Sequence, residues 1–222
     1  MKLAAAALLA LCTTQAHACT QYPATYTPRD WPGKDAVHGY IQNRLTERPF
    51  ATIIMGDSIA RRWPSELVEG LWGGPVLNTG IGGSTVLDLT WRLDRMSFEA
   101  QSPAVVFVSV GTNDIAQGYC PGAVEQGIVA LLVRLRTMYP NARVVWQNVL
   151  GRGRHRQEFV QDIARVNAYV IAQVQGRYEV YDAATPLTAA CRGQPECTLY
   201  ADLVHPYLNG YEVIYEQARV LP

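Results

Sequence analysis

Four short segments of the sequence carry side chains that together could transfer an acyl group. In chain order they are Gly56-Asp57-Ser58, the glycine-rich segment 80–85 behind Asn78-Thr79, Gly111-Thr112-Asn113-Asp114, and Asp202-Leu203-Val204-His205-Pro206. A serine hydroxyl becomes a useful nucleophile when an imidazole removes its proton, and a carboxylate beside the imidazole fixes its tautomer. Backbone amides and an asparagine side chain can stabilise the oxyanion that forms. The segments therefore supply a nucleophile, a base, an orienting acid and oxyanion donors.

The spacing of these residues favours such a site. Asp202 and His205 lie three residues apart, so that one turn can present both side chains together. Pro206 disfavours helical geometry at His205 and favours a turn that projects its ring. Gly83 lets the backbone approach a developing oxyanion closely, because it has no Cβ.

Three other interpretations of the same residues fit less well. Taken singly, Ser58 is a plausible helix cap, Asn113 a turn former and His205 a surface residue, but these roles do not explain the joint pattern. The elbow of α/β-hydrolases requires Gly-x-Ser-x-Gly, and Ala60 stands where the second glycine would be. Asp57 suggests a pair of carboxylates, as in glycosidases, but an Asp at this place more often binds the backbone amides of the turn.

The four segments are embedded in an alternation of strand and helix patterns. Apolar runs typical of buried strands cover residues 51–55, 76–78, 104–110, 143–150 and 178–182. Apolar residues at helical spacing cover 124–138, with Pro121 near the start, and 159–174, with Gly176 at the end. This order predicts a three-layer α/β/α domain around a five-stranded, mostly parallel sheet. Because chemistry gathers at the carboxyl ends of parallel strands, we expect the four segments on one edge of that sheet.

In this order, the four segments resemble the four blocks that define the SGNH hydrolases, which are GDSL-type serine esterases and lipases. The resemblance spans about residues 50–215. It implies a flavodoxin-like α/β/α fold and serine chemistry that needs neither a cofactor nor a metal ion. The residues it implies are the nucleophile Ser58 with its base His205 and the partner acid Asp202, and an oxyanion hole formed by the amides of Ser58 and Gly83 and the side chain of Asn113.

Composition limits the class of protein. The chain has 222 residues, of which 49% are hydrophobic and 17% charged, and this favours one packed domain over residues 19–222. Nineteen basic residues balance nineteen acidic ones, so there is no net field to hold nucleic acid. We therefore expect no nucleic acid as partner. The partner that the resemblance implies is an acylated small molecule or carbohydrate, and we expect no stable membrane insertion.

The N-terminus has the pattern of a secretory signal. Lys2 precedes an apolar run over residues 3–11, and Ala16-His17-Ala18 fits a cleavage site. The run is about half as long as a membrane-spanning helix requires. We therefore predict that residues 1–18 are removed and that the protein is secreted or periplasmic. Lipid anchoring through Cys19 is the alternative, although the residues before it match a lipobox poorly.

Removal of such a signal would leave four cysteines, an even number suited to an oxidising compartment. Cys191 and Cys197 bracket a turn-prone loop, and a disulfide across it would contribute about 2 kcal/mol. Cys19 and Cys120 then remain as the second pair. Four free thiols or a metal site are the alternatives, but the paired C-x-x-C units of a zinc site are missing.

The substrate is indicated less directly. Arg152, Arg154 and His155 follow the fourth predicted strand and could bind an anionic or polyhydroxylated partner, unless they form a solvated loop. Export favours hydrolysis of short acyl esters, above all acetyl esters, on carbohydrate. The alternatives are a lipid or thioester acyl hydrolase, and a glycan-binding module without catalysis.

Overall fold

A computed structural model describes residues 19–153, 158–192 and 197–221. Within them the sheet has six strands in the order β2-β1-β3-β4-β5-β6. The strands are β1 (Thr52–Gly56), β2 (Val76–Asn78), β3 (Val105–Ser109), β4 (Arg143–Gln147), β5 (Glu179–Asp182) and β6 (Arg219–Leu221). The first five are parallel, and β6 runs antiparallel to β5.

Helices cover both faces of this sheet. They are α1 (Lys34–Glu47), α2 (Ser58–Arg62), α3 (Ser65–Trp72), α4 (Val86–Leu93), α5 (Thr112–Ala116), α6 (Pro121–Met138), α7 (Val160–Val174), α8 (Ala184–Cys191) and α9 (Leu208–Gln217), with a 3₁₀ turn over Phe98–Ala100. One apolar core packs α1, α4, α6 and α7 against one face, and a second packs α2, α3, α8 and α9 against the other. The predicted three-layer α/β/α class is therefore confirmed.

Successive side chains along a strand alternate between these two cores. On β3, Val106 and Val108 belong to the first core, whereas Val105 and Phe107 belong to the second. All five residues of that strand are buried, as expected for a central strand covered on both sides. Burial on both faces explains why its sequence is continuously apolar.

The structure differs from the prediction at the edge of the sheet. The five predicted strands are present, but β3 and β4 end at Ser109 and Gln147, one and three residues earlier than predicted. The strand β6 was not predicted, because it has only three residues and Arg219 and Val220 are exposed. A short exposed edge strand leaves little hydrophobic pattern in the sequence.

Both predicted disulfides are confirmed. Cys19 is bonded to Cys120, across 101 residues, and Cys191 to Cys197, across six. The predicted signal, residues 1–18, lies outside the described residues. Among the described helices, none has both the length and the apolar character needed to cross a membrane.

Candidate active site

The first three candidate segments follow three adjacent parallel strands. Gly56 at the end of β1 pairs with Ser109 at the end of β3, and the amide of Asp57 donates to the Ser109 carbonyl at 3.1 Å. Gly56 has φ of +141°, and a Cβ there would lie 1.8 Å from that carbonyl oxygen. Only glycine permits this close approach, which turns the chain sharply into α2. Ser58 thus stands at the first position of a helix, above the carboxyl edge of the sheet.

Ser58, His205 and Asp202 form a continuous chain of hydrogen bonds. The Ser58 Oγ lies 2.7 Å from His205 Nε2, and His205 Nδ1 lies 2.7 Å from Asp202 Oδ2. The contact between Ser58 and His205 joins residues 147 positions apart in the chain. The fold thus brings the first and the last candidate segments together.

The turn that carries His205 is held by hydrogen bonds within the turn and by a distant one, from the Gly153 amide to the Leu203 carbonyl at 2.7 Å. Asp202 Oδ1 accepts hydrogen bonds from the amides of Val204 and His205, at 2.7 and 2.8 Å. Burial tends to raise the pKa of Asp202, but the hydrogen bonds from His205 and these amides lower it to about 2. Asp202 is therefore ionised at neutral pH and can hold the Nδ1 proton of His205.

Asn113 and Gly83 follow the ends of β3 and β2, the two strands that flank β1. The Asn113 Nδ2 donates to the carbonyl oxygen of Ser84 at 2.9 Å, which orients the side-chain amide. Gly83 has φ of +78°, and no heavy atom lies within 4 Å of where its Cβ would be. Both residues line one cleft of about 370 Å³. A substrate in this cleft could approach the Gly83 amide and the second Nδ2 hydrogen of Asn113.

Asp57, beside Ser58, is buried and caps α2. Its Oδ1 accepts hydrogen bonds from the amides of Ile59 at 2.8 Å and Ala60 at 3.4 Å, the structural role expected from the sequence. Its Oδ2 is buried and has no hydrogen-bond partner among the described residues. Burial raises the pKa of Asp57 to about 7 despite the two amides. This carboxyl group therefore differs sharply from that of Asp202.

Sequence reasoning did not identify Arg92, which binds backbone oxygens at the ends of two strands. Its guanidinium is 1% exposed and donates to the carbonyl oxygens of Thr79 at 2.6 Å and Gly56 at 3.1 Å. It thereby links the ends of β1 and β2, from which Ser58 and the glycine-rich segment continue. A signal was present, since Arg92 lies in the buried stripe of α4 with Val86, Leu89 and Leu93.

Residues 19–31, which we call the N-terminal clamp, contact the segments that carry Gly83 and Asn113. The Tyr22 hydroxyl donates to buried Asp114, whose two carboxylate oxygens accept from the Val86 amide at 3.1 and 3.2 Å. The Tyr26 hydroxyl donates to Asp88 at 2.6 Å. Together with the disulfide Cys19–Cys120, these contacts tie the clamp to the chain that follows Gly83 and Asn113.

The predicted substrate-binding residues have a mixed outcome. Arg152 is partly buried and donates to the carbonyl and hydroxyl oxygens of Thr112, at 2.8 and 3.1 Å. It thus contacts the start of α5, next to Asn113, and a role in substrate binding stays a prediction. Arg154 and His155 lie outside the described residues. No group of three or more His, Cys, Asp or Glu side chains within the described ranges is placed to hold a metal ion.

Comparison with known proteins places these features in a family. The GDSL-like lipase/acylhydrolase family matches residues 23–213. The platelet-activating factor acetylhydrolase IB subunit alpha1 of Bos taurus is 37% identical over 144 residues, which cover 63% of this chain and 60% of that protein. The chain thus spans about 60% of the length of this curated relative.

Two solved structures share the fold. A member of the lipolytic G-D-S-L family from Veillonella parvula is 23% identical, with a TM-score of 0.65 over 74% of this chain and 93% of that one. An acetylxylan esterase from Geobacillus stearothermophilus is 17% identical, with a TM-score of 0.62 over 74% of this chain and 90% of that one. At these identities the likeness establishes the fold.

Proposed function

The chain belongs to the GDSL-like lipase/acylhydrolase family, a family of carboxylic ester hydrolases, and on that premise we propose that it removes short acyl groups, chiefly acetyl, from carbohydrate. The observation that carries the proposal is the pair of 2.7 Å contacts that joins Ser58, His205 and Asp202. A serine, an imidazole and a carboxylate in this arrangement are suited to covalent acyl transfer.

In the proposed reaction, Ser58 Oγ attacks the ester carbonyl while His205 Nε2 takes its proton. Asp202 keeps the Nδ1 proton of His205 in place and stabilises the imidazolium that forms. When the tetrahedral intermediate collapses, His205 gives the proton to the leaving alcohol, and an acyl-enzyme remains on Ser58. Water then attacks this ester with His205 again as the base, which releases the acid and restores the serine.

The carbonyl oxygen becomes negative in both steps, and we assign three donors to it. They are the backbone amides of Ser58 and Gly83 and the Nδ2 of Asn113. The contact of Asn113 with the Ser84 carbonyl supports this role, because it fixes the amide plane and leaves one Nδ2 hydrogen for the substrate. Donors that are already oriented need no rearrangement when the charge appears.

The size and lining of the cleft support a short acyl group on a polar alcohol. The cleft beside Gly83 and Asn113 measures about 370 Å³, and its lining includes Arg29, Lys34 and Asp88. The lining also contains tryptophan rings, which offer flat surfaces for a sugar ring beside these polar groups. The names of two relatives, an acetylxylan esterase and a platelet-activating factor acetylhydrolase, both refer to an acetyl group.

We further propose that the protein acts after export. The signal pattern over residues 1–18 and the two disulfides support this, because disulfides persist in oxidising compartments. The bond between Cys19 and Cys120 supports release without a lipid anchor, since acylation would use the same sulfur.

A chain-length series tests the function. We expect the mature protein to hydrolyse p-nitrophenyl acetate faster than the octanoate ester and to release acetate from acetylated xylan, whereas Ser58→Ala does neither. A preference for the octanoate ester or for an acyl thioester would instead favour a lipid or thioester hydrolase. Absence of turnover on every ester would favour a glycan-binding module. Ser65→Ala, at an exposed serine on α3, is the matched control.

A further inference from the structure

The cleft beside the oxyanion hole has a wall that the catalytic residues do not require. One side is formed by Gly83 and Asn113, and the other by the N-terminal clamp and the start of α1. The side chains on that second wall include Arg29, Trp31 and Lys34. A substrate held at the oxyanion donors would therefore extend against residues 26–38, and the chemistry of this wall can select the substrate.

The charged side chains that this wall contributes to the cleft lining are positive, since Asp30 and Asp35 are not part of the lining. Arg29 is exposed and has no hydrogen-bond or ion-pair partner within the described part of the chain. The Lys34 side chain is 17% exposed, and its nearest carboxylate is that of Asp30 at 4.0 Å, which is itself 96% exposed. An ion pair at this distance, with one partner in solvent, contributes little to stability. Lys34 can therefore still bind an anion. Two cations are thus available at the mouth of the cleft.

The one carboxylate in the lining does not offset them fully. Asp88 Oδ1 accepts from the Tyr26 hydroxyl at 2.6 Å, and its Oδ2 accepts from the amide and hydroxyl of Thr85, both at 2.8 Å. These bonds use three of about four acceptor sites of the carboxylate, and its single negative charge faces more than one cation in the lining. The pKa of His38, also in the lining, is lowered by burial and then by the charges of Arg92 and Lys34, which outweigh the opposite effect of Asp35 and Asp88. The field at this imidazole is therefore positive on balance.

The aromatic residues of the wall do not form a cage for a cationic ligand. The Trp91 ring already contacts two cations, with Arg95 Cζ at 4.6 Å and Lys34 Nζ at 5.7 Å from its centroid. A quaternary ammonium group would compete with these side chains and be repelled by them. Trp31 and Tyr26 remain partly exposed in the same cleft and offer flat surfaces for a sugar ring.

We propose that this cleft binds an acidic sugar, with Arg29 and Lys34 holding its carboxylate, so that the substrate is an acylated glycan containing uronic acid. The statement that this glycan is the substrate rests on the proposed function, whereas the proposed binding site does not. A carboxylate between two cations gains charge-assisted hydrogen bonds that a neutral sugar cannot make. Placed next to the oxyanion donors, it would position the neighbouring acyl group for attack.

Binding without turnover tests the site independently of catalysis. We expect the wild-type protein to bind an unacetylated oligogalacturonate, in calorimetry at low salt, at least 10-fold more tightly than a xylo-oligosaccharide of equal length. The double variant Arg29→Gln/Lys34→Gln should raise the Kd for the acidic oligomer about 10-fold and leave the Kd for the neutral one similar. Arg177→Gln, which removes a charge between α7 and β5, is the matched control and should bind as the wild type does. Equal affinity for the two oligomers, or no change in the double variant, would overturn the proposal.

Kinetics then connect the site to the substrate. The ratio of kcat/KM for acetylated oligogalacturonate to that for acetylated xylo-oligosaccharide should fall about 10-fold in the double variant, and it should fall in the wild type as salt is added. A wild-type protein that hydrolyses p-nitrophenyl acetate but prefers the neutral glycan, or a choline-bearing ester, would refute the acidic substrate and keep the esterase. A protein that binds the acidic oligomer but hydrolyses no ester would refute the esterase and keep the site.

Discussion

The aspartates of two candidate segments, Asp202 and Asp114, make hydrogen bonds of very different range. On one side, Asp202 binds the amides of Val204 and His205, two and three residues further along the chain. On the other side, Asp114, the neighbour of Asn113, binds the hydroxyl of Tyr22 across 92 residues. The first side is a turn at the surface with an exposed carboxylate, although its Leu203 carbonyl also accepts from the Gly153 amide. The second is a buried network that joins three separate segments.

This difference matches what each side is proposed to do. A base must exchange protons with substrate and solvent, and a small turn at the surface allows that. An oxyanion hole works by being oriented before the charge appears, so it gains from a rigid and buried support. We therefore expect changes on the His205 side to act mainly on proton transfer, and changes on the Asn113 side to act on both turnover and stability.

The largest effect is expected at the residue that both sides share. Ser58→Ala should lower kcat on the order of 10⁶-fold, because the base and the oxyanion donors have no nucleophile to act on. Its circular dichroism spectrum and Tm should stay close to those of the wild type. A serine-directed organophosphonate should label the wild-type protein at Ser58 only. Labelling at another serine, or an active alanine variant, would contradict the assignment.

The next largest effect concerns the N-terminal clamp. The disulfide Cys19–Cys120 closes a loop of 101 residues, whereas Cys191–Cys197 closes one of six. By loop entropy, replacing the first pair with serine should lower the free energy of unfolding by about 4–5 kcal/mol, and replacing the second by about 2 kcal/mol. Urea unfolding of both double variants measures the difference.

The two disulfide variants also differ in what they predict for turnover. The first disulfide anchors the clamp beside Asn113, so its loss should also reduce kcat per folded molecule. The second disulfide lies at the end of α8, and its loss should reduce stability alone. Equal kcat in the two variants, corrected for the folded fraction, would show that the clamp does not support the oxyanion side.

A smaller effect is expected from the oxyanion donor itself. Asn113→Ala should lower kcat by about 10²–10³, or about 2.7–4 kcal/mol, with KM changed only modestly, because the donor binds the transition state better than the ground state. If Asn113 only shapes the turn after β3, the variant should instead lose Tm and keep its turnover. Measuring Tm and kcat on one preparation separates the two roles.

The same contrast in range explains what the sequence could predict. The strands were found because each is a continuous apolar run, and the pair Asp202 and His205 because three residues separate them. Adjacent parallel strands then brought Ser58 and Asn113 to one edge. The contact of Tyr22 with Asp114 leaves no such pattern, because a single hydroxyl and a carboxylate 92 residues apart form no periodic signal. Arg92 was missed because a single arginine is normally assigned to the surface, and its place in the apolar stripe of α4 was the only signal against that.

Asp202 and Asp57 also differ in burial, and their pKa values are shifted in opposite directions. The pKa of exposed Asp202 is lowered to about 2, so its contribution to stability is present above the unfolded pKa of about 4 and is lost as pH falls through 2. Burial raises the pKa of Asp57 to about 7. Between about pH 4 and pH 7 the folded state therefore binds more protons at Asp57 than the unfolded state does, and stability falls as pH rises.

The last prediction uses Asp57→Asn to measure how much the protonation of Asp57 contributes to the pH dependence of stability. The asparagine Oδ1 can still accept from the amides of Ile59 and Ala60, and its Nδ2 replaces an oxygen that has no hydrogen-bond partner among the described residues. Any constant cost of burying that group cancels when one protein is compared at two pH values. From pH 5 to pH 8, the wild type should lose about 2–3 kcal/mol more unfolding free energy than Asp57→Asn does. Asp35→Asn, at an exposed position on α1, is the control and should follow the wild type. Parallel pH curves for the wild type and Asp57→Asn would mean that Asp57 is already ionised when the protein folds, and that its buried oxygen is solvated by something other than the chain.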